Sequence, residues 1–196
     1  MRTDLTKSIT PWPLKVKLKR KAWEIVQATL FRWSPKRMGA GWRVWLLRCF
    51  GAEIGTGCFI MSSAKILQPW RLRLGDGSIL GADADIYNFE WIIIGKMSMV
   101  SQRTFLCTGS HDYADPHLPL TFQPITIGDE VWIASECFVS PGRTIGNGAV
   151  VAARSVVTKD LPEWMICGGH PCKPLKQRVM NEAPGVQQVT REFAGP

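Results

Sequence analysis

The chain has 196 residues, 45% hydrophobic and 20% charged, a composition that excludes collagen-like and disordered classes and points to a globular domain. Its formal net charge of +8 is unevenly placed: residues 1–50 carry twelve Lys/Arg against Asp4 and Glu24, while residues 51–196 hold a small acidic excess of two. A body-wide phosphate-binding surface is therefore not expected, and with it a nucleic-acid role for the main domain.

In chain order, residues 1–50 read as a basic helical extension and cap. Over 14–33 the apolar residues Leu14, Leu18, Ile25, Val26, Leu30 and Trp33 predict an amphipathic helix, and residues 38–50 predict a short cap. Lysines 15 to 21 interrupt any apolar run, so neither a signal peptide nor a membrane span is predicted and a cytoplasmic location is expected. Two readings of residues 1–36 stand side by side. One is a solvated basic helix face. The other is peripheral docking on an anionic inner-membrane leaflet, with Trp12, Trp23, Phe31 and Trp33 as interfacial residues.

From residue 51 a repeat of six takes over. Ile54, Ile60 and Ile66 open it; Leu74, Leu80 and Ile86 follow after a two-residue slip, then Ile94, Val100 and Leu106. After an interruption it resumes at Ile127, Ile133, Val139, Ile145, Val151 and Val157. Four residues after most of these lies a small side chain (Cys58, Ala64, Ser78, Ala84, Ser98, Thr104, Ser110, Cys137, Ala149, Ser155). A glycine follows the first aliphatic of each triplet, at Gly55, Gly75, Gly95, Gly128 and Gly146, read here as a corner needing φ freedom. Three hexapeptides make one coil, so the prediction is an all-β, three-sided parallel solenoid of about five coils over 51–165. The loop 112–126 is inserted into it, and residues 166–196 form a C-terminal cap and tail. A loop of that length in a strict solenoid is usually functional. The six cysteines are scattered without a CxxC pair and are expected to be reduced.

The Ile-Gly-x-x-small-x pattern resembles the hexapeptide-repeat acyltransferases over about residues 40–178. Residues 69–72 (Pro-Trp-Arg-Leu) and 106–112 (Leu-Cys-Thr-Gly-Ser-His-Asp) are most similar to the colanic-acid-type exopolysaccharide O-acetyltransferases, and through them to the maltose and galactoside enzymes. The resemblance implies a left-handed parallel β-helix and a homotrimer. It also implies acetyl-CoA as co-substrate.

Within that resemblance, Thr108-Gly109-Ser110-His111 matches the motif of the catalytic histidine, making His111 the expected general base, with Asp112 or a backbone carbonyl to fix its tautomer. Trp132, Ser135, Ala153, Thr158, Lys159, Lys173 and Lys176 match positions lining acetyl-CoA, two of the lysines standing where the galactoside enzymes have arginine. For the acceptor, Asn88, Asp83, Asp85 and Tyr87 in the second coil could bind sugar hydroxyls, while Gly81 replaces an active-site asparagine of the galactoside enzymes. His117 reads as an exposed loop residue and His170 as a bystander in the turn after the last coil. A metal is not expected: γ-class carbonic anhydrases share the fold but need three zinc histidines, and His111 and His117 lack their spacing. The implied activity is O-acetylation of a sugar hydroxyl in an exopolysaccharide or its lipid-linked precursor. The alternatives are N-acetylation of a nucleotide-linked amino sugar and a non-catalytic scaffold.

Overall fold

The computed structural model describes residues 12–35 and 38–181. Short strands stack into three parallel sheets, one per side of a triangular solenoid. The first side runs Glu53–Ile54, Leu72–Leu74, Ile92–Ile94, Ile125–Ile127, Thr144–Ile145. The second runs Phe59–Ile60, Ile79–Leu80, Met99–Val100, Trp132–Ile133, Val150–Val151, then Met165–Gly169 in the same parallel sense. The third runs Lys65–Ile66, Asp85–Tyr87, Phe105–Cys107, Phe138–Val139, Val156–Val157. Five coils are complete, and a bridge from Ile145 to Leu161 starts a sixth. The solenoid thus continues past residue 165 to Gly169, where Cys172–Gln177 folds back antiparallel on its last strand.

All fifteen repeat aliphatics point inward, none more than 7% exposed. Register makes like meet like: Ile54 lies over Leu74, Leu74 over Ile94, Ile94 over Ile127 and Ile127 over Ile145. The small positions fill the corners and satisfy their own polar atoms. Ser78 Oγ donates to the Gly95 carbonyl, Ser98 Oγ to Gly128 and Thr104 Oγ1 to Ala134, each one coil on. Ser110 differs: it is exposed, because there the chain has left the solenoid.

The repeat glycines are there for a different reason than backbone freedom. The left-handed positions lie two residues further on, at Gly57, Gly77 and Gly148 but also at Met97 and Glu130. Gly75 itself has no positive φ; a Cβ on it would lie 2.6 Å from the Lys96 nitrogen and 2.7 Å from the Gly95 carbonyl carbon. Close stacking of successive coils, not torsion, forbids a side chain. Gly75→Ala is expected to cost about 1–3 kcal/mol by overpacking, read as a lowered midpoint in urea unfolding.

The N-terminal segment closes the open end. Helix α1 (Leu14–Val26) continues through a wider turn, Gln27–Phe31, and α2 spans Ala40–Cys49. In this stack each coil donates N–H groups to the carbonyls of the next, as Gly55 to Leu74, Met61 to Leu80 and Leu67 to Ile86. The carbonyls of Ile54, Ile60 and Ile66 have no coil beneath them. Side chains take that place on all three sides. Arg48 Nη2 donates to Ile54 at 2.6 Å, Arg43 Nε to Ile60 at 2.6 Å and Trp23 Nε1 to Ile66 at 2.6 Å. Gln27 Oε1 accepts from the Ile66 N–H, so Trp23 and Gln27, one helical turn apart, mimic a strand. Arg43 is fully buried, and burial holds its guanidinium below the usual pKa.

Most of the expected apolar stripe of α1 faces outward, and two of the four expected interfacial residues turn inward. Trp23 and Phe31 are buried, whereas Leu14, Leu18, Ile25, Leu30 and Trp33 face outward. The face turned to the coils instead buries the rings of Trp23 and Phe31 and brings the Trp23 indole N–H and the Gln27 amide to Ile66.

Candidate active site

After Phe105–Cys107 the chain leaves the third side as a hairpin, Gly109–His111 pairing antiparallel with Leu120–Phe122. Its base is packed by aromatics. Phe89 lies against Phe122 with ring centroids 5.3 Å apart, and Trp12 stacks on Phe89 at 5.7 Å. A Cβ at Gly109 would lie 2.7 Å from the Phe89 ring, so only glycine lets the hairpin seat there.

His111 ends the outgoing strand with its ring exposed, and its Nδ1 lies 2.6 Å from the Leu118 carbonyl oxygen. A carbonyl only accepts, so Nδ1 carries the hydrogen, and in the neutral form of the ring the free lone pair is on Nε2. Leu118 reaches it from a left-handed conformation, φ 45°. Of the two orienting groups expected, the backbone carbonyl occupies the position. Asp112 instead accepts from the Ala114 N–H at 3.0 Å, closing a turn, and makes no hydrogen bond to His111.

The acceptor candidates divide. Asn88 is corrected from a sugar-binding to a structural residue: fully buried, its Nδ2 donates to the carbonyls of Gln68 and Arg71 and its Oδ1 accepts from Gln68 N–H. That saturates its inward hydrogen bonding and knits the corner between the third and first sides. Asp83 sits exposed at a left-handed corner, φ 55°, its N–H donating to Ser63 Oγ. Asp85 pairs across the third side with Lys65 and Phe105; burial raises its pKa and Lys65 opposes that. Tyr87 stays partly exposed, edge-on to Phe89 at 4.6 Å, its hydroxyl pKa raised by burial. Gly81 is closed to any side chain, since a Cβ would lie 2.7 Å from the Gln102 nitrogen.

On the second side an open groove of about 520 Å³ runs from the third coil to the start of the sixth. Trp132, Ser135 and Ala153 line it, with Ser101, Gln102, Ala134, Ala152 and Ile166. Trp132 is fixed by its Nε1 donating to Ser101 Oγ at 3.0 Å. Lys176 pairs with Ile166 and Lys173 with Gly168, placing both lysines on the strand that flanks the groove. Thr158 and Lys159 follow the third-side strand Val156–Val157 and do not line it; nor does His111. Sequence reasoning missed the groove floor, although its signal is present: the residue after the aliphatic in each second hexapeptide is small from Gly81 on, as Ser101, Ala134, Ala152 and Gly168.

The remaining reactive groups are quiet. Cys49 is exposed and the other five cysteines are buried; burial raises the thiol of Cys172 to about 11. His117 donates its backbone N–H to Asp115 inside the loop. Among the described residues no group of three or more His, Cys, Asp or Glu gathers to hold a metal ion.

No family model matches the chain. WcaF, the acetyltransferase assigned to colanic acid biosynthesis in Escherichia coli K12, is 47% identical over 165 residues, which cover 84% of this chain and 90% of that protein. The chain belongs to the hexapeptide-repeat acetyltransferases. Solved structures carry the fold further. A hexapeptide-repeat acetyltransferase of Vibrio cholerae O1 biovar eltor, complexed with acetyl coenzyme A, superposes with a TM-score of 0.79 at 23% identity, covering 88% of this chain and 93% of that one. A galactoside acetyltransferase in complex with coenzyme A gives 0.78 at 24% identity, covering 86% and 85%. The solenoid of this hexapeptide-repeat acetyltransferase is therefore a left-handed parallel β-helix. Among the described residues no helix is long and apolar enough to cross a membrane.

Proposed function

We propose that this acetyltransferase moves an acetyl group from acetyl-CoA to a sugar hydroxyl of an exopolysaccharide or its lipid-linked precursor, with His111 as general base. The observation that carries the reading is the His111–Leu118 contact, which puts a hydrogen on Nδ1 and leaves Nε2 as the ring nitrogen able to take a proton. In the reaction, Nε2 takes the hydroxyl proton as that oxygen attacks the thioester carbonyl. The tetrahedral adduct collapses, the C–S bond breaks, and the imidazolium returns the proton to the departing thiolate, with no acyl-enzyme. Kinship to WcaF supports an exopolysaccharide acceptor, and the galactoside acetyltransferase shares the fold.

The second-side groove is the proposed seat of the pantetheine arm, with Lys173 and Lys176 toward the phosphates. Because His111 does not line that groove in one chain, the reading requires the groove of one subunit to face the hairpin of another, which favours the homotrimer. Asp83, Asp85 and Tyr87 remain the acceptor candidates. Asp112 is proposed only as a support for the loop.

The test is transfer from labelled acetyl-CoA to a panel of sugars, followed by mild alkali. Released label marks an ester and supports the reading; retained label marks an amide and replaces it with N-acetylation. Filling the groove with Ala152→Leu is expected to raise the KM for acetyl-CoA about tenfold or more while leaving the urea midpoint nearly unchanged. An unaltered KM would place the cofactor elsewhere.

A further inference from the structure

The cap displays an apolar face that nothing in the described chain covers. On α1, Leu14, Leu18 and Ile25 fall on one side of the helix, opposite the buried Trp23, and Leu14 and Leu18 are 70% and 62% exposed. The stripe runs on to Trp33, 85% exposed, which lines one apolar hollow with Leu30 and Trp42. Trp42 donates its Nε1 to the Leu30 carbonyl and stacks on Trp45, ring centroids 4.9 Å apart. Through this hollow the exposed side of α1 continues onto the exposed Trp42 and Trp45 of α2.

Its charge identifies what covers it. Helix α1 holds five cationic residues and one acid, Glu24, which pairs with Lys21. Lys19, exposed, and Arg20, half-buried, lie over the rings of Trp70 and Phe89. Lys15, Lys17 and Lys21 stay exposed beside the leucines. Lysine is depleted in the cores of protein–protein interfaces, where its charge must be desolvated. At a bilayer the same arrangement is favourable: the aliphatic stems lie along apolar surface, the ammonium groups reach the phosphates, and tryptophans sit at headgroup depth.

We propose that the outer face of α1 and α2 docks flat on an anionic lipid bilayer, Leu14, Leu18, Ile25 and Trp33 entering the interface and Lys15, Lys17 and Lys21 contacting the headgroups. Neither the hairpin nor the groove contributes to this face, so it stands apart from the chemistry proposed above.

Co-sedimentation of the full chain with vesicles tests it. Binding is expected with mixed phosphatidylcholine and phosphatidylglycerol, to weaken in high salt, and to be marginal with phosphatidylcholine alone. Each lysine near an anionic surface is worth about fivefold in partition, so the triple variant K15Q/K17Q/K21Q should bind roughly a hundredfold more weakly. The double variant L18S/I25S, at exposed positions, should lose binding at least tenfold while acetyl transfer to a soluble acceptor is unchanged. Trp33→Ser provides an independent variant should the double one fold poorly. Equal binding to both vesicle types, or binding that none of these variants alters, overturns the proposal. So does L18S/I25S converting a larger species to a smaller one on gel filtration without vesicle binding by the parent, which would assign the face to a second copy.

Discussion

His111→Ala is expected to lower kcat by about 10² to 10⁴-fold, the range supplied by a positioned general base, with the KM for acetyl-CoA unchanged. The asymmetry follows from geometry: the imidazole touches the Leu118 carbonyl and does not line the groove of its own chain, so removing it takes away proton transfer while the residues that line the groove stay in place. Asp112→Asn is the matching control. Its side-chain oxygen still accepts from Ala114, so activity should stay within about threefold, as for a surface turn residue. Steady-state kinetics of the two variants decide between the carbonyl and the carboxylate as the group that orients the base. A fully active His111→Ala would remove the mechanism; a crippled Asp112→Asn would return the orienting role to the carboxylate.

Trp23→Ala is expected to be the most damaging single change to stability, at about 3–5 kcal/mol, or roughly 10 °C in Tm. The indole is fully buried and packs edge-on to Phe31, ring centroids 5.8 Å apart. It also supplies the donor for the Ile66 carbonyl, which otherwise faces the cap unpaired. Trp23→Phe separates the two contributions: it keeps most of the packing and loses the hydrogen bond, at an expected cost of about 1–3 kcal/mol. Thermal denaturation of both variants measures the split. Indistinguishable losses would mean that the cap contributes by packing alone.

The solenoid was legible in the sequence because its period is enforced by a core only one side chain wide. Every coil must present an aliphatic at each side, and Ile54 through Val157 do so without exception. What could not be read is whatever depends on the coil above or below. The repeat glycines looked like torsional corners, yet Gly75 is required by the backbone of Lys96, twenty-one residues later. Asn88 looked like a polar turn residue free to meet a sugar, yet its amide is spent on Gln68 and Arg71 of the preceding coil. Helix α1 showed an apolar stripe, which is real but faces outward. Nothing in residues 14–33 alone reveals that Ile66 lacks a donor. The catalytic candidate was found through the His111 motif and the interrupted repeat. Its partner is a main-chain carbonyl, which no residue type announces.

The sealed lower end has a consequence for the molecule among its own copies. A parallel stack of coils has no built-in length: an unsealed first coil is a template on which another chain's last coil could dock, and then another, giving a fibre. Arg43, Arg48, Trp23 and Gln27 occupy that template with side chains, and Cys172–Gln177 turns the last second-side strand back on itself. These few residues make a finite particle of what would otherwise grow from its ends.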